Sequence, residues 1–462
     1  MLSVKKRRGL DIDMTEGNIF RHLLIFSLPL LAGNFFQLLY NTVDTIIVGQ
    51  YVSDAAFSAV GSLSSTTNLM ISFFMGLSSG ASVVISKAFG SGDVNKVKRA
   101  VSTCLIMTFI LAAIMTPVGQ LLVEPLLSIL DMPADEKVEA RKYLVIWLWG
   151  ISGLMVYNMG AAIMRAVGDS TKPFIMLVFS TVLNAVLDIW FVRGFGMGVE
   201  GVAIATIVSQ WISAVLVLIL LLTTSSVVKI DLKYFKFDKD ILKTIVVIGL
   251  PMALRLGITS FSNIFVQSYI NEFGGAAMGG WTAYSKIDMI VLLPMQSLSI
   301  ASTTFVGQNL GQNKVKRAER GADIALLMSL VSTAFLIIPI VIFPEFFVSM
   351  FNANPDIIEY GSLFLRLLTP FYLVWCVNQI YSGALNGSGN TVVPMIIMLS
   401  SFVAFRQVYL YVVANYIDNS PIPISLCYPI GWTIAAIATL IYYKLCGLTP
   451  KERIEKEEAG SS

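Results

Sequence analysis

Long apolar runs alternate with short polar breaks along the whole chain. The runs fall at about 19–50, 57–86, 99–124, 138–165, 172–193, 198–223, 242–271, 281–307, 319–343, 357–385, 391–415 and 421–445. Each is long enough for an α-helix to cross a hydrocarbon core. Several are longer than a perpendicular crossing needs, so tilting or kinking is expected. The pattern predicts an all-α integral membrane protein with twelve transmembrane helices and both termini on one side. The odd-to-even loops carry only Lys137, Arg141, Lys142 and Arg193, whereas 24 of the 32 Lys and Arg lie at the termini and even-to-odd loops. The positive-inside rule places those in the cytoplasm.

The longest polar stretch, 224–241, divides the runs into two sets of six. It reads as a cytoplasmic linker between an N-lobe (1–223) and a C-lobe (242–462). The two halves echo each other. Asn95-Lys96-Val97-Lys98-Arg99-Ala100 recurs as Asn313 to Ala318, Leu28-Pro29 as Leu250-Pro251, and Gly168 and Pro173 as Gly389 and Pro394. The offsets are 218, 222, 221 and 221. Duplication of a six-helix unit gives both copies the same orientation. The two lobes are then related by a pseudo-two-fold axis along the membrane normal, with a cavity between them. That architecture favours transport over a channel, and no filter-like segment is visible.

Composition agrees, with 56% apolar and 13% charged residues and a mean hydropathy of +0.75, against roughly 45–50% and 25% in soluble domains. A disordered chain is excluded, and so is a nucleic-acid binder, since net charge is +3 and no basic domain stands apart. The N-terminus does not read as a signal peptide. Cys104, Cys376, Cys427 and Cys446 form no C-x-x-C and read as buried free thiols. His22 is the only histidine, which leaves no histidine zinc site and no Ser-His-Asp chemistry. No cofactor is expected, and the chain does not read as an enzyme. Gly168 to Lys172 resembles a phosphate loop only faintly, lacking the first glycine and the Gly-Lys-Ser/Thr ending. Energy must therefore come from an ion gradient or from the substrate's own gradient. Gly76 and Gly80 fit G-x-x-x-G and predict close helix packing inside a monomer.

The polar residues inside the runs carry the candidate chemistry. Asn34, Gln37, Asn41 and Asp44 are spaced 3, 4 and 3, on one face of span 1. A carboxylate at mid-span costs about 2.5–3.5 kcal/mol on insertion scales. Span 5 adds Asn184 and Asp188, four apart, and span 6 adds Thr206. Such an all-oxygen set suits a hard cation such as sodium. Two carboxylates in a low-dielectric cavity also repel, so the pair could instead carry a proton as one coupled unit. The bland alternative is a cluster that only ties helices together. In the second half, Arg255 lies about 13 residues into span 7, roughly 20 Å along the helix, too deep for snorkelling. Thr259, Asn263 and Gln267 follow on the same face, and Arg406 is similarly deep in span 11. Asp288 and Glu359 read as lying near outer ends, so the C-lobe wall reads as basic. Asn34, Gln37, Asn41, Arg255, Asn263, Gln267 and Arg406 are the substrate-cavity candidates.

Pro29, Asn41-Thr42-Val43-Asp44, the two Gly/Pro pairs and Asn184-x-x-x-Asp188 with Gly198-x-x-Gly201-x-Ala203-x-Ala205-Thr206 together resemble the multidrug and toxic compound extrusion (MATE) family, in its bacterial DinF-like branch. The resemblance covers nearly the whole chain. It implies antiport in a bacterial inner membrane: small organic compounds leave the cytoplasm in exchange for Na+ or H+, by alternating access. It also implies an N-lobe cation site of Asp44, Asn184, Asp188 and Thr206, and a conformational hinge at Pro29, with Pro251 as its counterpart in the second half. Some branches carry acidic C-lobe sites, and Arg255 departs from that. The basic wall then suits an anionic or zwitterionic substrate, or an arginine that pairs with Asp44 or Asp188 as a gate. A flippase for a lipid-linked precursor is the alternative function that Arg255 and Arg406 keep open.

Overall fold

The apolar runs fold as helices that overshoot them, because each helix continues until a turn residue stops it. The computed structural model describes residues 11–129 and 133–449. In chain order the helices are α1 (Ile19–Tyr51), α2 (Asp54–Gly90), α3 (Val94–Ile129), α4 (Ala134–Ala166), α5 (Thr171–Ile189) and α6 (Val199–Thr223). Then come α7 (Lys239–Asn271), α8 (Gly275–Gly311), α9 (Val315–Ile342) and a short α10 (Pro344–Ser349). The remainder are α11 (Pro355–Leu368), α12 (Tyr372–Gly387), α13 (Val392–Met398), α14 (Arg406–Val412), α15 (Pro421–Ser425) and α16 (Cys427–Cys446). The described residues contain twelve spans long and apolar enough to cross a membrane, and no strand. The last three spans are interrupted. A 3-10 turn at Thr369–Phe371 joins α11 to α12, a π segment at Leu399–Phe405 joins α13 to α14, and α15 leads into α16.

Helix α9 shows why the exterior must be apolar. Leu327, Val331, Phe335, Ile338 and Ile342 form an exposed stripe, with Phe335 at 79%, while Ser329 and Thr333 on the opposite face are fully buried. Large apolar side chains outside and small hydroxyls inside invert the soluble pattern and fit a lipid surround.

Two compact units emerge. One comprises Leu28–Ala253 with the N-terminal stretch up to Asp13, the other Met14–Ser27 with Leu254 onward. Helices α1 and α7 are thus each shared, and the division falls close to Pro29 and Pro251. In the first unit α4 packs on α2, α3 and α6. In the second, the corresponding span α11–α12 packs on α8, α9 and α16. Gly76 and Gly80 do bring helices together inside the chain. A Cβ on Gly76 would lie 2.3 Å from the Ala253 backbone, and one on Gly80 would lie 2.6 Å from the Gly249 Cα.

The duplication has a clear structural register. Helix α2 starts at Asp54 and ends at Gly90, and α8 starts at Gly275 and ends at Gly311, the same offset of 221 at both ends. The starts of α3 and α9, at Val94 and Val315, keep that offset. Gly168 (φ +88°) and Gly389 (φ +86°) both sit just past the fourth span, in the left-handed conformation that ends a helix. The hexapeptide identity is a correction. Its first copy starts inside α3, at Asn95, whereas Asn313 (φ 58°) precedes α9 and takes the left-handed place that Gly92 (φ 75°) holds in the first half. The two copies are out of register by three positions, almost one helical turn. Both nevertheless grip a segment that leads into a first helix. Lys98 Nζ meets Asp231 at 2.8 Å and Arg99 Nη1 meets Asp238 at 3.2 Å, ahead of α7. Lys314 Nζ donates to Thr15 O (3.0 Å) and Arg317 Nη2 to Met14 O (3.1 Å), ahead of α1. Cys104, Cys376 and Cys427 are buried, but Cys446 is exposed at the end of α16, against expectation.

Candidate functional site

In the first unit, one helical turn separates Tyr40 from Asp44 on α1, and another separates Asn184 from Asp188 on α5. Ser180 Oγ donates to Ser209 O (3.2 Å), which ties α5 to α6, the helix that carries Thr206. Asn184 and Asp188 are fully buried and Thr206 is 3% exposed, while Asp44 is half-buried. With its carboxamide nitrogen turned toward the acids, Asn184 donates to Asp44 Oδ1 (2.9 Å) and Asp188 Oδ2 (3.3 Å). The two carboxyl groups lie within hydrogen-bond reach of each other. Tyr40 faces the Thr206 hydroxyl and both acids, and Tyr143 of α4 lies against the same pair. Among the described residues, Asp188 Oδ1, Thr206 Oγ1 and Tyr40 Oη are buried without a hydrogen-bond partner of normal geometry. Two ionised carboxylates this close repel, so the cluster is stable when a proton or a cation shares it. No group of three His, Cys, Asp or Glu side chains occurs among the described residues, so any cation here is held by two carboxylates and neutral oxygens.

A cavity of ≈ 240 Å³ adjoins this cluster toward the C-terminal end of α1. Val43 and Ile47, which flank Asp44, and Ile189 and Val192, just past Asp188, line it together with Gln50 and Arg193. Arg193 lies over the Tyr51 ring at 6.0 Å.

Of the cavity candidates on α1, Asn34 is half-buried and Gln37 exposed, and the Asn41 side chain lies outside the described residues. Helices α1 and α7 run unbroken through Pro29 and Pro251. In the second unit, Arg406 and Asn263 come together. Arg406 Nη1 donates to Asn263 Oδ1 (2.7 Å) and Ser262 Oγ (3.4 Å). Its guanidinium carbon lies over the Phe402 ring (4.5 Å) and over the Tyr428 ring (4.4 Å). Gln267 instead bonds Asn271 on its own helix (2.7 Å). Arg255 is half-buried and is not joined to Arg406; its carbonyl accepts from Thr259 Oγ1 (2.7 Å).

Three further residues of these sites escape the sequence pattern. Tyr40 and Tyr143 are hidden because tyrosine scores as apolar in a membrane run. Asp288 is the third and corrects an expectation. Helix α8 starts at Gly275, so Asp288 lies more than three turns inside it rather than at an end. It accepts from Tyr372 Oη, which in turn pairs with Tyr284 Oη (3.0 Å). The second unit therefore contains a mid-helix acid as well as its arginines.

Known proteins resemble this arrangement over nearly its whole length. The probable multidrug resistance protein YoeA of Bacillus subtilis is 25% identical over 437 residues, 93% of this chain and 94% of that one. An FAD transporter of Shewanella oneidensis is 26% identical over 90% of this chain and 92% of its own. A MOP superfamily transporter from Pyrococcus furiosus has the same fold, with a TM-score of 0.90, 23% identity and coverage of 96% and 98%. The MatE family profile matches twice, at residues 29–190 and 251–412, one copy in each half. By those two matches the chain belongs to the MatE family.

Proposed function

We propose that the chain is a secondary antiporter that exports small organic compounds from the cytoplasm in exchange for Na+ or H+, with the cation held by Asp44, Asn184, Asp188 and Thr206. The observation that carries this reading is the carboxyl pair bridged by one buried amide, with orphaned oxygens on Asp188, Thr206 and Tyr40 around it. Orphaned oxygens in a dry interior favour a guest that donates a proton or accepts lone pairs. Carboxylate, hydroxyl and amide oxygens are hard ligands suited to sodium, and a single proton between two carboxyls serves equally. Asn184 is the adaptable part. Its nitrogen braces the two acids when no ion is bound, and turned over, its oxygen joins a cation's shell. Loss of the ion leaves two charges facing each other, which favours whichever conformation admits water. That differential is what couples the ion to alternating access between two six-helix lobes.

Relatives named for multidrug resistance support export as the direction, and the basic residues of the even-to-odd loops support an orientation with both termini inside. The test uses the full chain as a monomer in proteoliposomes, with sodium and pH gradients imposed separately. Asp44→Asn and Asp188→Asn should each reduce gradient-driven export to the rate of empty vesicles while melting stays near wild type. Export that survives both substitutions overturns the assignment.

A further inference from the structure

We propose that Arg406 is an oxyanion subsite, which receives the carboxylate or phosphate of an aromatic substrate on one edge of its guanidinium. This rests on the export reading above and names the substrate class.

Arg406 opens α14 directly after the π segment Leu399–Phe405, and it heads the fully buried side chains by size. Its hydrogen bonds go to neutral oxygens of Asn263 and Ser262, both through Nη1. Nε and Nη2 are buried and have no hydrogen-bond partner among the described residues. These two nitrogens form one edge of the planar group, and their parallel N–H vectors match two oxygens of a carboxylate or phosphate. The Phe402 and Tyr428 rings both lie against the guanidinium and, with the bonds through Nη1, hold it in place before any ligand arrives. The acid of the same aromatic cluster does not fill it, since Asp288 accepts from Tyr372. A buried cation bonded only to neutral oxygens lacks countercharge, and an anionic guest supplies it.

Position supports the same reading. The two profile matches start at 29 and 251 and end at 190 and 412, the same offset of 222 at both ends. At that spacing Arg406 stands where Asn184 stands in the first half. The surroundings are a buried aromatic cluster: Trp281 lies 5.6 Å and Trp432 5.7 Å from Tyr428, and Trp375 lies 5.1 Å from Phe402. Tyr428 is half-buried and donates to the exposed Asn263 (3.3 Å), which ties the ring beside Arg406 to the residue that Arg406 itself bonds.

The test is equilibrium binding to the full chain in nanodiscs with two matched pairs. FMN against riboflavin isolates a phosphate, and naphthalene-2-carboxylate against naphthalene-2-carboxamide isolates a carboxylate. Wild type should prefer the anionic member of at least one pair by about tenfold or more, and the pair that responds identifies the oxyanion. Arg406→Lys keeps the charge but loses the two-point edge, so it should remove most of that preference. Arg406→Gln should abolish it. Equal binding within both pairs by wild type overturns the proposal, as does a preference that survives Arg406→Lys. Both readouts stand if Arg406→Gln fails to fold. Coupled export without anion preference counts against this subsite alone. Anion preference without coupled export counts against the Asp44–Asp188 reading alone.

Discussion

Removing the Asn184 amide is the sharpest perturbation of the acid pair. In Asn184→Ala both carboxyls lose a donor, at 2.9 Å and 3.3 Å. The shorter contact is a normal hydrogen bond and the longer one is marginal, so only the first is counted. A hydrogen bond to a charged group contributes about 1.5–3 kcal/mol. The loss falls on the ion-free state, where the carboxylates are charged and face each other. At about 1.4 kcal/mol per decade, a proton should bind the variant roughly ten- to hundredfold more tightly. Proton-driven export should therefore half-saturate at a correspondingly lower proton concentration. If sodium is the coupling ion, the lost amide oxygen and the lost donor act in opposite senses, and half-saturation moves by less than about tenfold. Both cases share one sign in a second assay. Melting of the variant in sodium-free buffer at pH 8 should fall below wild type, since the brace is missing there. Proton-driven export with unmoved half-saturation, together with unmoved melting, would refute the view that Asn184 braces the acids.

Two further outcomes follow from packing and charge. Gly80→Leu should prevent accumulation of folded protein, because even its Cβ would meet the α7 backbone at 2.6 Å, whereas Gly61→Ala has open space and should raise helix stability by about 0.5–1 kcal/mol; detergent-solubilised yield and melting compare the two. The Lys98 ammonium, hydrogen-bonded to Asp231, holds that carboxyl below the ordinary carboxylate range, with the Lys233 N–H adding to the effect. A lowered folded-state value contributes stability fully above the ordinary value of about 3.9 and loses it as pH falls through the lowered one. Asp231→Asn should therefore melt slightly below wild type at neutral pH, by a gap that shrinks in high salt and closes in acid; a gap that persists in acid contradicts the pairing.

The spans were legible because a hydrocarbon core demands uninterrupted apolar length, and the chain supplies it twelve times. Asp44, Asn184, Asp188 and Thr206 were legible because polar atoms stand out in such runs. Their approach to one another was not, since it depends on how α1, α5 and α6 pack. Asp288 was misplaced for a local reason: the glycines at 274, 275, 279 and 280 lower hydropathy at the start of α8, so the apolar run begins later than the helix. The repeat was visible, but its register was obscured by an identical hexapeptide that lies three positions away from structural equivalence.

That register explains why the charges of the two halves look unrelated in the sequence. Pro173 and Pro394 are separated by an offset of 221, and a straight count from them puts Ala185, not Asn184, opposite Arg406. The π segment Leu399–Phe405 lies between. A π turn accommodates one extra residue, so beyond it the spacing becomes 222, as at the ends of the matched stretches. Arg406 then falls opposite Asn184, and Asn263 opposite Asn41. In each half, a side chain of the fifth span reaches a residue of the first at this level: Asn184 to Asp44 in the first, Arg406 to Asn263 in the second. The same pair of helices has thus been fitted with a carboxylate cluster in one copy and an arginine in the other. On the two proposals made above, a scaffold used twice with opposite charge would give one half a place for a cation and the other a place for an anion. On that argument, exchanging the two sets should exchange ion and substrate preferences, whereas deleting either should abolish only its own.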